Sequence, residues 1–130
     1  MTWSGTALET GFTPAAVRAR AAERLLAEEP ASEIVTLGDE SALEHLLPLG
    51  RDRLRPAAVL VPLVAHEDVT ALLTQRTDGL RAHAGQIAFP GGRIDPEDQG
   101  ALAAALREAR EEIGLDTRHV EFLGYLDPYV

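Results

Sequence analysis

The stretch Arg107-Glu108-Ala109-Arg110-Glu111-Glu112-Ile113-Gly114-Leu115 decides how this chain is read. It closes a segment of strong helix formers, 100–113, and Gly114 stands where a left-handed helix cap is expected. Leu102, Leu106, Ala109 and Ile113 recur at steps of four, three and four, which predicts one apolar stripe packed on a sheet. Glu108, Glu111 and Glu112 lie off that stripe. Glu108 and Glu112 are one turn apart on one face, and Glu111 is three residues from Glu108. Like charges at such spacings cost an isolated helix roughly 0.2–0.5 kcal/mol per pair. They also stand in the C-terminal half, where the helix dipole disfavours anions. By themselves, glutamates this dense would form an ordinary solvated face. Two neighbours point further. Arg107 is four residues from Glu111 and can hold that carboxylate in place. Phe89-Pro90-Gly91-Gly92 precedes the helix as a tight turn whose glycines permit close backbone approach. A hard divalent cation is the natural compensation, since Mg²⁺ takes a few carboxylates together with phosphate oxygens.

Outward from this helix, the chain reads as helices followed by short strands. Thr13-Pro14 predicts a helix start, 15–29 continues it with Val17, Ala21, Leu25 and Leu26 toward a core, and Pro30 stops it. Ser41 and Glu44 form a capping-box pattern for a second short helix. The apolar, β-branched run 57–64 predicts a buried strand, with Pro62 marking an edge or bulge. His66-Glu67-Asp68 reads as a turn and 69–75 as the returning strand of a hairpin. Residues 77–86 read as an irregular loop, 87–89 as a brief strand and 120–126 as a last strand.

The stretch 107–115 resembles the box of the Nudix hydrolase family: Gly, five residues, Glu, seven residues, Arg-Glu, an aliphatic, any residue, Glu-Glu, any residue, Gly, an aliphatic. The second half matches at every fixed position, with Ala109 and Leu115 as the aliphatics. The first half departs. With Gly92 as leading glycine, the glutamate position holds Asp98, and the gap to Arg107 is eight residues instead of seven, which leaves the role of Asp98 open but not the Arg-Glu…Glu-Glu cluster. The run 72–92 followed by Asp95-Pro96 looks like the extra signature of the coenzyme A pyrophosphatase branch, which also carries an aspartate and a lengthened box. The resemblance covers about 57–125.

It implies an α+β Nudix fold, a mixed sheet sandwiched between helices, over 51–130, with 1–50 as an N-terminal helical extension. It implies Glu108 and Glu112 as ligands of Mg²⁺ or Mn²⁺, Glu111 as a further ligand or the base that activates water, and Arg107 beside them as a catalytic residue. Some family members place the base outside the box, on a later loop. Arg76 and Arg81 are candidates for phosphate pairing through their planar donor forks. His83, Gln86, Gly91 and Gly92 are candidates for substrate contact within the same signature. The implied reaction cleaves coenzyme A or an acyl-CoA to 4'-phosphopantetheine and adenosine 3',5'-bisphosphate. The competing expectations are another diphosphate substrate (a dinucleotide polyphosphate, an ADP-sugar or NADH) and a noncatalytic nucleotide-sensing module. All three box glutamates are present, which ranks the module low.

Composition sets the remaining bounds. A net charge of -9 disfavours nonspecific nucleic-acid binding, which needs a basic face. The absence of cysteine excludes disulfides and thiolate metal sites and suits a reducing cytoplasm. No apolar run is long enough for a membrane span. The partner expected is therefore a small molecule, with the N-terminal helices available for docking or for a homodimer contact. Asp127-Pro128-Tyr129-Val130 reads as the beginning of a loop, so the expected fold would need more chain and the sequence is expected to be a fragment.

Overall fold

A computed structural model describes residues 12–31, 55–75 and 85–128. In chain order its elements are α1 (Pro14–Arg24), β1 (Ala57–Val59), β2 (Leu63–Val64), β3 (Thr70–Ala71), β4 (Thr74–Gln75), β5 (Ile87–Ala88), β6 (Gly91–Arg93), α2 (Gly100–Ile113) and a 3-10 turn (Thr117–His119). The helix predicted at Ser41 lies outside the described residues. The described strands form three antiparallel pairs, β1 with β6, β2 with β3 and β4 with β5. The α+β class holds. No helix among the described residues is long and apolar enough to cross a membrane.

The chain divides into two compact units. The first contains α2, and this helix has the bounds its sequence predicts. Gly114 caps it in the left-handed conformation at φ 66°, its N–H returning to the last-turn carbonyls. The buried face differs from the expected stripe. Ala104, Ala105 and Ala109 are buried, with Ala101 packed beside them, whereas Leu102 and Leu106 are half-buried and Ile113 is exposed. The physical reason is proximity. α2 packs on β1 and β6, where Ala58 and its register partner Gly92 present almost no side chain, so small side chains on the helix fit between the backbones. Leu60 and Ile94 close the edges of this core.

β6 is itself a correction. Pro90-Gly91-Gly92 reads as a turn in the sequence, but Gly91–Arg93 is a strand in register with β1, Val59 opposite Gly91 and Ala57 opposite Arg93. A Cβ at Gly91 would lie 2.5 Å from the Ala58 carbonyl oxygen, so this pairing requires glycine. The expected strand over 120–126 also does not form. Its one ladder partner is Leu26, which exchanges backbone hydrogen bonds of 2.8 Å with Tyr125.

The second unit contains α1 and β2–β5. Thr13 caps α1, its Oγ1 accepting from the Ala16 N–H at 3.2 Å. α1 ends at Arg24 and not at Glu29, because Leu26 is engaged in the pair with Tyr125. Of the four residues expected toward a core, Ala21 is buried, Val17 and Leu25 are half-buried and Leu26 is exposed. The predicted strand 57–64 is broken before Pro62, which has no N–H for a ladder. Its C-terminal piece, β2, makes the expected hairpin with β3, Leu63 opposite Ala71 and Val64 opposite Thr70. β4 then pairs with β5, and Thr74 Oγ1 donates to the Ala88 carbonyl at 2.9 Å.

Candidate functional site

The site is organised by one guanidinium. Arg107 projects from α2 with its side chain 28% exposed and meets oxygens of Asp95, Asp98, Glu108, Glu111 and the Arg93 carbonyl. Its Nε and Nη2 donate to the two oxygens of Asp98, at 2.9 and 2.8 Å, in the planar fork that carboxylates accept best. Nη2 also donates to the Arg93 carbonyl at 3.1 Å and lies 3.3 Å from Asp95. Nη1 donates to Glu108 Oε1 at 3.0 Å. The Glu111 carboxylate, which the sequence suggested Arg107 would hold, is farther, at 3.5 Å, and 60% exposed.

Asp98 is therefore the residue that sequence reasoning missed. Its side chain is only 8% exposed. The β-turn Asp95-Pro96-Glu97-Asp98 aims it: the Asp98 N–H donates to the Asp95 carbonyl at 3.0 Å, and the Asp95 N–H donates to Asp98 Oδ2 at 2.8 Å. The Arg107 fork, and after it the Asp95 amide, hold the Asp98 carboxyl below its usual range. The guanidinium is raised in turn, first by Asp98. Counting forward from Gly92 reached Asp98, and counting back from Arg107 did not. Gly100 begins the helix at φ +90°.

Glu108 is the best-placed of the three box glutamates. The alanine face of α2 carries it toward β6, one turn beyond Ala104, and its side chain is 19% exposed. Its carboxylate lies against Gly92: a Cβ there would fall 2.5 Å from Glu108 Cδ. Gly92 is thus a cradle that any side chain would fill. Glu111 and Glu112 are exposed on the next turn. Among the described residues, no three acidic or histidine side chains are already gathered around one point.

The donor set still suits a hard divalent ion. One arginine faces four carboxylates, those of Asp95, Asp98, Glu108 and Glu111, so the local charge stays strongly negative. Mg²⁺ commonly uses one or two carboxylates, retained water and phosphate oxygens, and does not need a closed protein cage. Glu108 is held by Arg107, Glu111 is exposed with one oxygen 3.5 Å from Arg107 Nη1, and Glu112 is exposed.

The other predicted residues are placed as follows. Gly91 serves the close pairing with β1. Gln86 is exposed just before β5, in the unit of α1. Arg76, Arg81 and His83 lie outside the described residues.

Over 74 residues the chain is 53% identical to the "Uncharacterized Nudix hydrolase NudL" of Yersinia pestis (strain Pestoides F). It is equally similar to the protein of that name from Yersinia pseudotuberculosis serotype O:1b (strain IP 31758). The match covers 57% of this chain and 37% of each relative, so it spans little over a third of the relatives' length. Residues 53–130 match the family model of the NUDIX domain. The chain belongs to the NUDIX domain family.

Proposed function

We propose that this chain carries the metal-binding helix of a pyrophosphohydrolase that cleaves coenzyme A, or an acyl-CoA, to 4'-phosphopantetheine and adenosine 3',5'-bisphosphate. The observation that carries the reading is the Arg107 fork on Asp98, with Glu108 held between Arg107 and Gly92. Among the described residues, this commits the Arg107 guanidinium to positioning and leaves carboxylates in excess of it. The coenzyme A assignment is supported by the run 72–92 and by the aspartate at position 98.

A bound Mg²⁺ or Mn²⁺ would neutralise phosphate oxygens and acidify a water for attack on a phosphorus of the P–O–P bridge. Glu108 and Glu112, one turn apart on α2, are the residues proposed to hold it, with Glu111 as a further ligand or as the acceptor of the water proton. Arg107 keeps the Glu108 carboxylate turned toward Gly92 by donating to Oε1. Gly92 leaves room for that carboxylate at the edge of β6, and Gly91 permits the strand pair that places Gly92. Arg76, Arg81, His83 and Gln86 are proposed to contact the substrate from the signature segment. The setting proposed is cytoplasmic, with a small molecule as partner.

The test is a mass-spectrometric assay of coenzyme A with Mg²⁺ or Mn²⁺, beside Glu112→Gln and EDTA controls. Both products are expected from the parent protein and neither from the controls. Metal-dependent release of products from an ADP-sugar, NADH or a dinucleotide polyphosphate, with none from coenzyme A, would overturn the substrate and keep the reaction class. No hydrolysis by a folded chain, with hydrolysis by a version carrying the relatives' additional length, would place a required residue outside this chain.

A further inference from the structure

The first turn of α2 is capped from a distant part of the chain. Gln99, in the N-cap position, makes no side-chain capping bond. The Ala101 N–H instead donates to Glu29 Oε1 at 2.9 Å, across 72 residues of sequence. The second oxygen of Glu29 lies directly on Gly100, where a Cβ would collide with it. A carboxylate here meets one of the four N–H groups that a helix leaves unpaired, at the end where its dipole favours negative charge.

Glu29 is itself held. Three residues before it, Leu26 exchanges its two backbone hydrogen bonds with Tyr125, and the Tyr125 ring packs edge-on against Phe122 at 4.8 Å. Gly124, at φ +148°, has no room for a side chain, because Leu25 Cβ would lie 2.6 Å from it. Residues 25–29 thus run from the segment that follows α2 to the residue that starts it. They tie the start of the helix that carries Arg107 and Glu108 to the chain that follows it.

We propose that Glu29 is a positioning residue for the site: by fixing the first turn of α2, it sets Arg107 over Asp98 and Glu108 over Gly92. Glu108 has little slack to absorb a shift of the helix, since its carboxylate already fills the space over Gly92. The consequence for metal binding rests on the reading given above, whereas the consequence for Arg107 does not.

The experiment compares the parent chain with Glu29→Ala, Glu29→Gln and the milder Glu29→Asp. It follows Ala101 amide exchange, the Arg107 Nε–H resonance and Mn²⁺ affinity, with Glu112→Gln as the metal control. In Glu29→Ala, Ala101 should exchange faster, the Arg107 resonance should shift or broaden, and Mn²⁺ affinity should fall on the order of 10-fold. Glu29→Gln, which keeps an oxygen acceptor, should recover most of each effect. Glu29→Asp, too short to reach, should resemble alanine and supplies the comparison if Glu29→Ala does not fold. An Arg107 resonance unchanged in the folded Ala or Asp variant would overturn the proposal, even if thermal stability dropped. Equal Mn²⁺ binding by the parent and Glu112→Gln would instead show that the metal reading has failed, and Arg107 alone would then decide the role of Glu29.

Discussion

The two units of this chain achieve order by different means. Around α2, the buried side chains are alanines and Pro90, two strand backbones approach through glycine, and one arginine ties the helix to the turn before it. In the unit of α1 and β2–β5, each strand is two residues long, and large apolar side chains remain open: Leu63 is 43% exposed, Leu73 52% and Ile87 62%. The first unit depends on close contacts that admit almost no change in volume. The second depends on short backbone ladders, in which single side chains matter less. Sensitivity to substitution should therefore be sharply unequal, and greatest where Arg107 sits.

Arg107→Lys tests that claim most strongly. Lysine keeps the charge but loses the fork that satisfies both Asp98 oxygens. Mn²⁺ affinity, or turnover of the proposed substrate, should drop roughly 10- to 100-fold. Parent-like values would mean that charge alone suffices and that the fork has no role. Gly91→Ala should come next. Its Cβ would meet the Ala58 oxygen at 2.5 Å and Val59 Cα at 2.8 Å, both backbone atoms that cannot step aside. Denaturant titration should show a loss of about 1–3 kcal/mol.

A smaller, pH-dependent effect belongs to Asp98. Its carboxyl is lowered in the fold, so its contribution to stability is fully present above the ordinary aspartate value of 3.8 and is lost as pH falls through the folded value. Asp98→Asn should flatten the acid limb of the stability curve below about pH 4 while shifting the neutral plateau downward. An unchanged acid limb would show that the carboxylate is not coupled to folding. The smallest effect is expected in the other unit. Thr74→Val removes an exposed side-chain bond to the Ala88 carbonyl and should change stability by less than about 0.5 kcal/mol. A larger loss than that of Gly91→Ala would reverse the comparison.

The same contrast explains what was legible in the sequence. Helix α2, its Gly114 cap, the Thr13 cap and the β2–β3 hairpin follow from local signals: formers, punctuators and alternation. The packed face of α2 did not, because hydropathy ranks Leu102 and Leu106 above the alanines, whereas contact with a glycine strand selects for small size. Gly91–Arg93 was obscure for a related reason, since glycines carry no side chain to signal a strand. Asp98 was obscure because a fixed-length count back from Arg107 does not reach it, and the turn that aims it is set by contacts between Asp95 and Asp98. Glu29 gave no local sign at all, as its partner lies 72 residues away. The exposed length of 120–126 carries strand-forming residues, but a strand needs a partner, and only Tyr125 has one among the described residues.

The central claim is that α2 holds a divalent ion at Glu108, beside Gly92. An Mn²⁺ titration followed through the backbone amide resonances tests it without reference to any substrate. Gly92, Glu108, Glu111 and Glu112 should broaden first and together, and Glu108→Gln should remove that selectivity. Uniform broadening, or broadening that begins elsewhere and survives Glu108→Gln, would contradict the account.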